Sequence, residues 1–283
     1  MAPRPTKKNP SDELSEEASE LYRRTMRTLQ AKNLPFLVGG AYAFARYTGI
    51  VRHTKDFDIF VHPRDFDRVL HALEEAGCHT ERNFPHWLGK AYDGENFVDV
   101  IFSSGNGVAR VDDRWFGHSV EETVLGMPVR LIPAEEMIWS KAFIMERERF
   151  DGADVIHVLY ARAEDLDWDR LLERFGDDWR VLFSHLTLFG YVYPGERHRI
   201  PAPVMRQLTE RLLAQTEQPA SGAERRLCQG TVLSRSQYLV DVERWDYRDA
   251  RLEPMGNMSP EEIETWTTAA REQEAEAMAA AKK

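Results

Sequence analysis

Apolar positions along the chain recur with two different periods, and the change from one to the other marks the elements. Leu14, Ala18, Leu21, Tyr22 and Leu29 fall on one helical face, which predicts a first helix ending near Asn33. A short run, Leu37-Val38, is then closed by Gly39-Gly40, and the segment Ala41 to Thr48 reads as a helix opening directly after the glycines. From Asp56 to Val61 the period falls to two: Phe57, Ile59 and Val61 share one face of a strand and Asp56 and Asp58 the other. Pro63 suits a first helical turn, Phe66, Val69, Leu70 and Leu73 form an apolar stripe, and Gly77 can end that helix.

Between Cys78 and Ile132, short β-like runs alternate with turn signals such as Asp93-Gly94 and Gly105-Asn106-Gly107. Beyond Pro133 the pattern is helical. Met137 to Met145 is apolar around most of its circumference, and Leu166 and Leu171 flank Asp167 with the spacing of a hydrophobic staple closed later by Gly176. Arg180 to Tyr193 predicts a buried helix, and Ser259-Pro260-Glu261-Glu262 is a capping box opening an Ala/Glu-rich final helix. These elements predict an α+β fold: a mixed sheet flanked by helices, followed by a mainly helical C-terminal region.

Composition narrows the setting. A chain of 283 residues can bury roughly 70–75% of its unfolded surface, enough for a core without staples. Its two cysteines, Cys78 and Cys228, are far apart and lack metal-ligand spacing, which fits a reduced cytoplasmic protein. No apolar run reaches the ~18–20 residues of a membrane span, and Met1 to Pro10 has no apolar h-region. With 47 acidic and 37 basic residues, the net charge of −10 argues against a general polyanion-binding surface.

The candidate chemistry lies where apolar runs carry acids. Asp56 and Asp58 repel on one face of a strand, and a hard cation such as Mg²⁺ between them would relieve that repulsion. Gly39 and Gly40 lack Cβ atoms, so backbone N–H groups there can approach phosphates at the start of the following helix. Asp99 is embedded in a second β-like run, Phe97 to Phe102, where an acid needs a partner or a role.

In these residues the chain resembles the nucleotidyltransferase superfamily that includes polymerase β, with its paired small residues, its Asp-x-Asp and a later strand Asp. The order Gly-Gly, helix, Arg52, Thr54, Asp56, Asp58 is most similar to the branch containing AbiEii-type toxins and small bacterial nucleotidyltransferases, over about residues 30 to 160. The resemblance implies a polymerase β-like catalytic domain, expected over 11–132; the residue pattern itself adds a helical domain over 133–218, a C-terminal extension over 219–283 and a disordered lead over 1–10. It implies transfer of a nucleoside monophosphate from a nucleoside triphosphate, with Asp56, Asp58 and Asp99 as catalytic and metal-binding residues for Mg²⁺ or Mn²⁺. Gly39, Gly40, Arg52, Thr54 and Lys141 would bind the nucleotide.

Lys141 has two readings. Within an apolar stripe its ammonium could meet a triphosphate, or its stem could snorkel beside a charged helix end. Arg149, Asp151 and Asp154 read as helix ends tied by ion pairs. His53 beside the acid pair reads as a surface turn residue, and the histidine spacings give no zinc motif. No Walker motif or nucleophile elbow is present. Two alternatives to an active transferase are an inactive nucleotide-binding or interaction module and a toxin that modifies tRNA, which would imply an antitoxin partner. Charge favours a small-molecule or protein acceptor over tRNA, because the arginine groups at 23–27 and 197–211 are interleaved with acids.

Overall fold

The computed structural model describes residues 14–280 apart from 53 and 55, with 273, 274 and 276–280 described by backbone alone. The lead expected at 1–10 and the turn residue His53 lie outside the described residues. The chain divides into two units: residues up to 104, 109–138 and 157–167 form the first, and 105–108, 139–156 and 168 onward form the second.

In the first unit a seven-stranded mixed sheet has the order β3-β4-β5-β2-β1-β7-β6. Its strands are β1 (Leu37–Val38), β2 (Asp56–Phe60), β3 (His79–Phe84), β4 (Leu88–Asp93), β5 (Asn96–Ile101), β6 (Val120–Val124) and β7 (Met127–Leu131). β2 runs parallel to β5 and antiparallel to β1, and β1 runs parallel to β7. Helix α1 (Glu16–Ala31) starts at Ser15, whose side chain accepts from Ala18 N–H, and ends before Asn33, which takes a left-handed φ of 52°. Its buried stripe holds Leu21, Tyr22, Met26 and Leu29. Tyr22 stacks on Phe57 of β2 at 4.7 Å between ring centroids, so the inward alternation of β2 meets the helical stripe of α1.

Helix α2 (Gly40–Thr48) follows β1 directly. A 3₁₀ turn at Pro63–Asp65 leads into α3 (Phe66–Glu75), whose predicted stripe is buried, and Gly77 takes φ +94° just past its end. Helix α4 (Asp113–Gly117) buries Trp115 against Phe60 of β2, their rings stacked at 5.5 Å. The division between units falls inside α5 (Ala134–Ala142) and α6 (Gly152–Arg162).

The second unit contains α7 (Trp168–Phe175), α8 (Trp179–Val192), α9 (Ala202–Glu217), α10 (Leu239–Arg244) and α11 (Pro260–Ala280), with a short parallel pair of β8 (Leu227–Cys228) and β9 (Arg248–Asp249). One face of α8 buries Leu182, His185, Leu186 and Phe189 while Tyr191 is exposed, so that helix is amphipathic and not buried all round. The capping box of α11 forms as its sequence predicts: Ser259 N–H donates to Glu262 Oε2 at 2.8 Å and Glu262 N–H to Ser259 Oγ at 3.2 Å. Both cysteines are free and buried. Among the described residues no helix is long and apolar enough to cross a membrane.

Candidate metal and nucleotide site

Three carboxylates converge because β2 and β5 are parallel neighbours. Their register sets Asp58 opposite Asp99, and Asp56 precedes Asp58 on the same face of its strand. One oxygen from each of Asp56, Asp58 and Asp99 lies within 4.8 Å of the others. The Asp99 side chain keeps only 13% of its exposure. Burial pushes its carboxyl above the usual carboxylate range, against the pull of Lys90, and the Asp56 charge adds to the rise. Tyr22 feels the same field: burial, then the charges of Asp56, Asp58 and Asp99, raise its phenol to about 12.

Neighbouring residues fix the acids. Thr54 Oγ1 donates to Asp56 Oδ1, and Asp56 N–H points back to Thr54 Oγ1 at 3.4 Å. Gly39 N–H donates to the Asp58 backbone oxygen at 3.0 Å, and the Gly39 oxygen accepts the bond from Ala43 N–H at 3.2 Å at the start of α2. At Gly40 the backbone has φ +52°, and a Cβ would stand 1.7 Å from Asp58 Oδ2. The glycine is thus required by the carboxylate beside it as well as by its backbone conformation. Arg52 is exposed and lies over the Phe44 ring of α2, 4.5 Å from its centroid.

A family of proteins described as "Uncharacterised nucleotidyltransferase" matches residues 14–177, which include the sheet, the glycine pair and all three acids. The chain belongs to this nucleotidyltransferase family. No curated protein matches it significantly. Similar solved structures include antibiotic-resistance factor ANT(2'')-Ia, at 17% identity over 61% of this chain and 98% of that one, TM-score 0.44. The lincomycin-bound lincosamide antibiotic adenylyltransferase LnuA is 14% identical over 51% of this chain and 96% of that one, TM-score 0.36. JHP933 from Helicobacter pylori is 14% identical over 72% of this chain and 100% of that one, TM-score 0.37.

In this nucleotidyltransferase the first unit brings together Gly39, Gly40, Thr54, Asp56, Asp58 and Asp99. The donor set is all oxygen and all carboxylate, which suits a hard divalent cation such as Mg²⁺ or Mn²⁺. A cation already stands at one of the three acids: Lys90 of β4 donates from Nζ to Asp99 Oδ1 at 2.5 Å. Sequence reasoning passed over Lys90, and also over Tyr22 as a neighbour of the acids. The available signal was a lysine at the centre of the otherwise uncharged run Leu88 to Tyr92, but its partner depends on which strand β4 joins.

Lys141 sits in the second unit, where its Nζ donates to Asp151 Oδ2 at 2.8 Å and reaches Asp154 Oδ2 at 2.9 Å. Arg149 adds two bonds to Asp151, each 2.9 Å. Burial opposes the Asp151 charge, yet the Arg149 and Lys141 bonds outweigh it and hold the carboxyl below its ordinary range. The ion-pair reading of Arg149, Asp151 and Asp154 is therefore what these side chains do, and Lys141 is the hub of the group.

Proposed function

We propose that this protein moves a nucleoside monophosphate from a nucleoside triphosphate to an acceptor hydroxyl or amine, releasing pyrophosphate, in a reaction that depends on Mg²⁺ or Mn²⁺. The observation that carries the reading is the convergence of three carboxylates on adjacent parallel strands beside the glycine pair. Asp56 and Asp58, with Asp99, would hold the cation, which when bound neutralises charge on the triphosphate and the departing pyrophosphate. Gly40 would present its backbone N–H to phosphate at the start of α2, where the helix terminus favours an anion, while Gly39, whose own N–H is held by the Asp58 carbonyl, shapes the turn that brings the phosphates close. Thr54 keeps Asp56 in one orientation through their shared hydrogen bonds.

In the transfer, the acceptor atom forms a bond to the α-phosphorus as the bond from that phosphorus to the pyrophosphate oxygen breaks. The acceptor proton passes to Asp99, whose buried carboxylate is a better base than an exposed one. Arg52, exposed on the loop before β2 and lying over the Phe44 ring, would contact phosphate oxygens in this reading. Lys141 of the second unit would bind phosphate through the third N–H of its ammonium, the other two being directed at Asp151 and Asp154.

For the acceptor, a small molecule or a protein is favoured over tRNA. At −10 the chain repels a polyanion, and its arginine groups are engaged locally: Arg24 with Asp93, Arg27 with Glu20, Arg199 with Glu196. A cytoplasmic setting accords with the two free cysteines. An AbiEii-like toxin, with an antitoxin partner, is the outcome if tRNA proves to be the acceptor. The deciding experiment incubates the protein with each α-labelled triphosphate, Mg²⁺ or Mn²⁺ and a cell extract. Metal-dependent labelling of a metabolite or protein, lost in Asp58→Ala, supports the reading. Labelled tRNA moves the acceptor to the toxin class, and nucleotide binding without pyrophosphate release under any condition overturns the enzymatic reading.

A further inference from the structure

A lysine stands inside the acid cluster. Lys90 and Asp99 are direct partners across the antiparallel pair β4·β5, and their side chains keep 21% and 13% of their exposure. The ammonium also lies 3.8 Å from the centroid of the Phe97 ring, two residues before Asp99 on the same face of β5. A half-buried ammonium is costly without an anion, and three carboxylates within 4.8 Å are costly without a cation, so each compensates for the other. Lys90 bonds Oδ1 of Asp99, and Thr54, a neutral donor, bonds Oδ1 of Asp56.

Resting on the nucleotidyltransferase reading above, we propose that Lys90 is a positioning residue that differentiates the three acids. By occupying one oxygen of Asp99, it turns that carboxylate away from full metal ligation and reserves its other oxygen for the acceptor. The divalent ion is thereby left chiefly to Asp56 and Asp58. Two consequences separate this role from simple strand stabilisation. Lys90 contributes positive charge where a divalent cation must enter, so removing it strengthens metal binding. It also aims Asp99, so removing it slows the chemical step while leaving nucleotide affinity nearly intact.

The test measures Mn²⁺ binding by electron paramagnetic resonance on the full chain without nucleotide, and metal-dependent transfer separately. Lys90→Met and Lys90→Gln are each expected to bind Mn²⁺ at least threefold more tightly than the parent protein. Lys90→Met is also expected to lose at least tenfold in kcat, and Lys90→Gln, which keeps a donor, less than that, with KM for the triphosphate changed by less than threefold in both. Lys90→Arg keeps the charge and is expected to retain the parent Mn²⁺ affinity and to recover part of kcat. Glutamine keeps a donor for Asp99, so it guards against a Met variant that fails to fold. Unchanged or weaker Mn²⁺ binding in a folded Lys90→Gln protein overturns the proposal. Asp56→Ala in the same titration keeps the two readings apart. If it leaves Mn²⁺ affinity unaltered, the metal assignment itself fails, whereas weaker binding there without tightening in the Lys90 variants sinks only the role of Lys90.

Discussion

Gly40 has no space for a side chain. A methyl group there would collide with Asp58 Oδ2, and the left-handed φ of +52° would add strain for any L-residue. Gly40→Ala is accordingly expected to lower stability by about 1–3 kcal/mol and, in the protein that remains folded, to weaken Mn²⁺ binding by displacing the carboxylate. A urea titration and a Mn²⁺ titration read the two effects; wild-type values in both would mean that Asp58 moves aside freely. The acids themselves behave in the opposite way. Asp56→Ala or Asp58→Ala removes one of three mutually repelling charges, so thermal stability should hold or rise slightly. Transfer should nevertheless fall by about 10²–10⁴-fold, roughly 3–5 kcal/mol of transition-state stabilisation. Activity within a few-fold of the parent protein in both variants would remove them from the metal site.

Helices α5 and α6 and the short turn between them show how an element changes the sign of a prediction. Taken alone, a lysine on an apolar helix should gain from replacement by methionine. Two carboxylates at 2.8 and 2.9 Å from Lys141 Nζ reverse that, because Lys141→Met leaves Asp151 and Asp154 buried with less compensation. A loss on the order of 3 kcal/mol at neutral pH is expected, read by chemical denaturation. The pH dependence follows from Asp151, whose carboxyl is held below its ordinary value in the folded protein. A depressed carboxylate contributes stability that is present above its unfolded pKa, about 3.9, and is lost as pH falls through the lower folded value. Lys141→Met lifts the folded value, so acid unfolding followed by circular dichroism should shift to higher pH than in the parent protein. An unshifted acid transition would show that Arg149 alone sustains the depression. If nucleotide affinity also drops in this variant while folded, Lys141 serves the phosphates as well.

Over the whole molecule, charge sets the long-range behaviour. The net −10 and the local pairing of arginines, including Arg211 with Asp177, leave little free positive field for a polyanion. Binding of tRNA is therefore expected to be weak and to change by less than about tenfold between 50 and 200 mM salt, where a protein making 6–10 phosphate contacts loses about 10³–10⁵-fold. A steep salt slope with tight binding at low salt would reveal a basic track and favour tRNA as acceptor.

Sequence periodicity by itself determined the α1 stripe, the alternation of β2, the stripe of α3 and the capping box of α11. Each depends on neighbours within about eight residues, so local geometry suffices. The sequence also supplied the glycine pair and the three acids, since acids in apolar strands stand out without knowledge of pairing. That Asp58 faces Asp99 was decided by the parallel register of β2 and β5, strands separated by α3 and two further strands. The same holds for Lys90, which became part of the site only because β4 pairs with β5, and for Lys141, whose two acids come from the turn and helix after its own. The amphipathic character of α8 was only partly legible: its exposed face holds polar Arg180, Ser184 and Thr187 but ends in apolar Tyr191 and Val192. Hydrophobicity reports what can be buried, and only packing decides which side chains are and which charges meet.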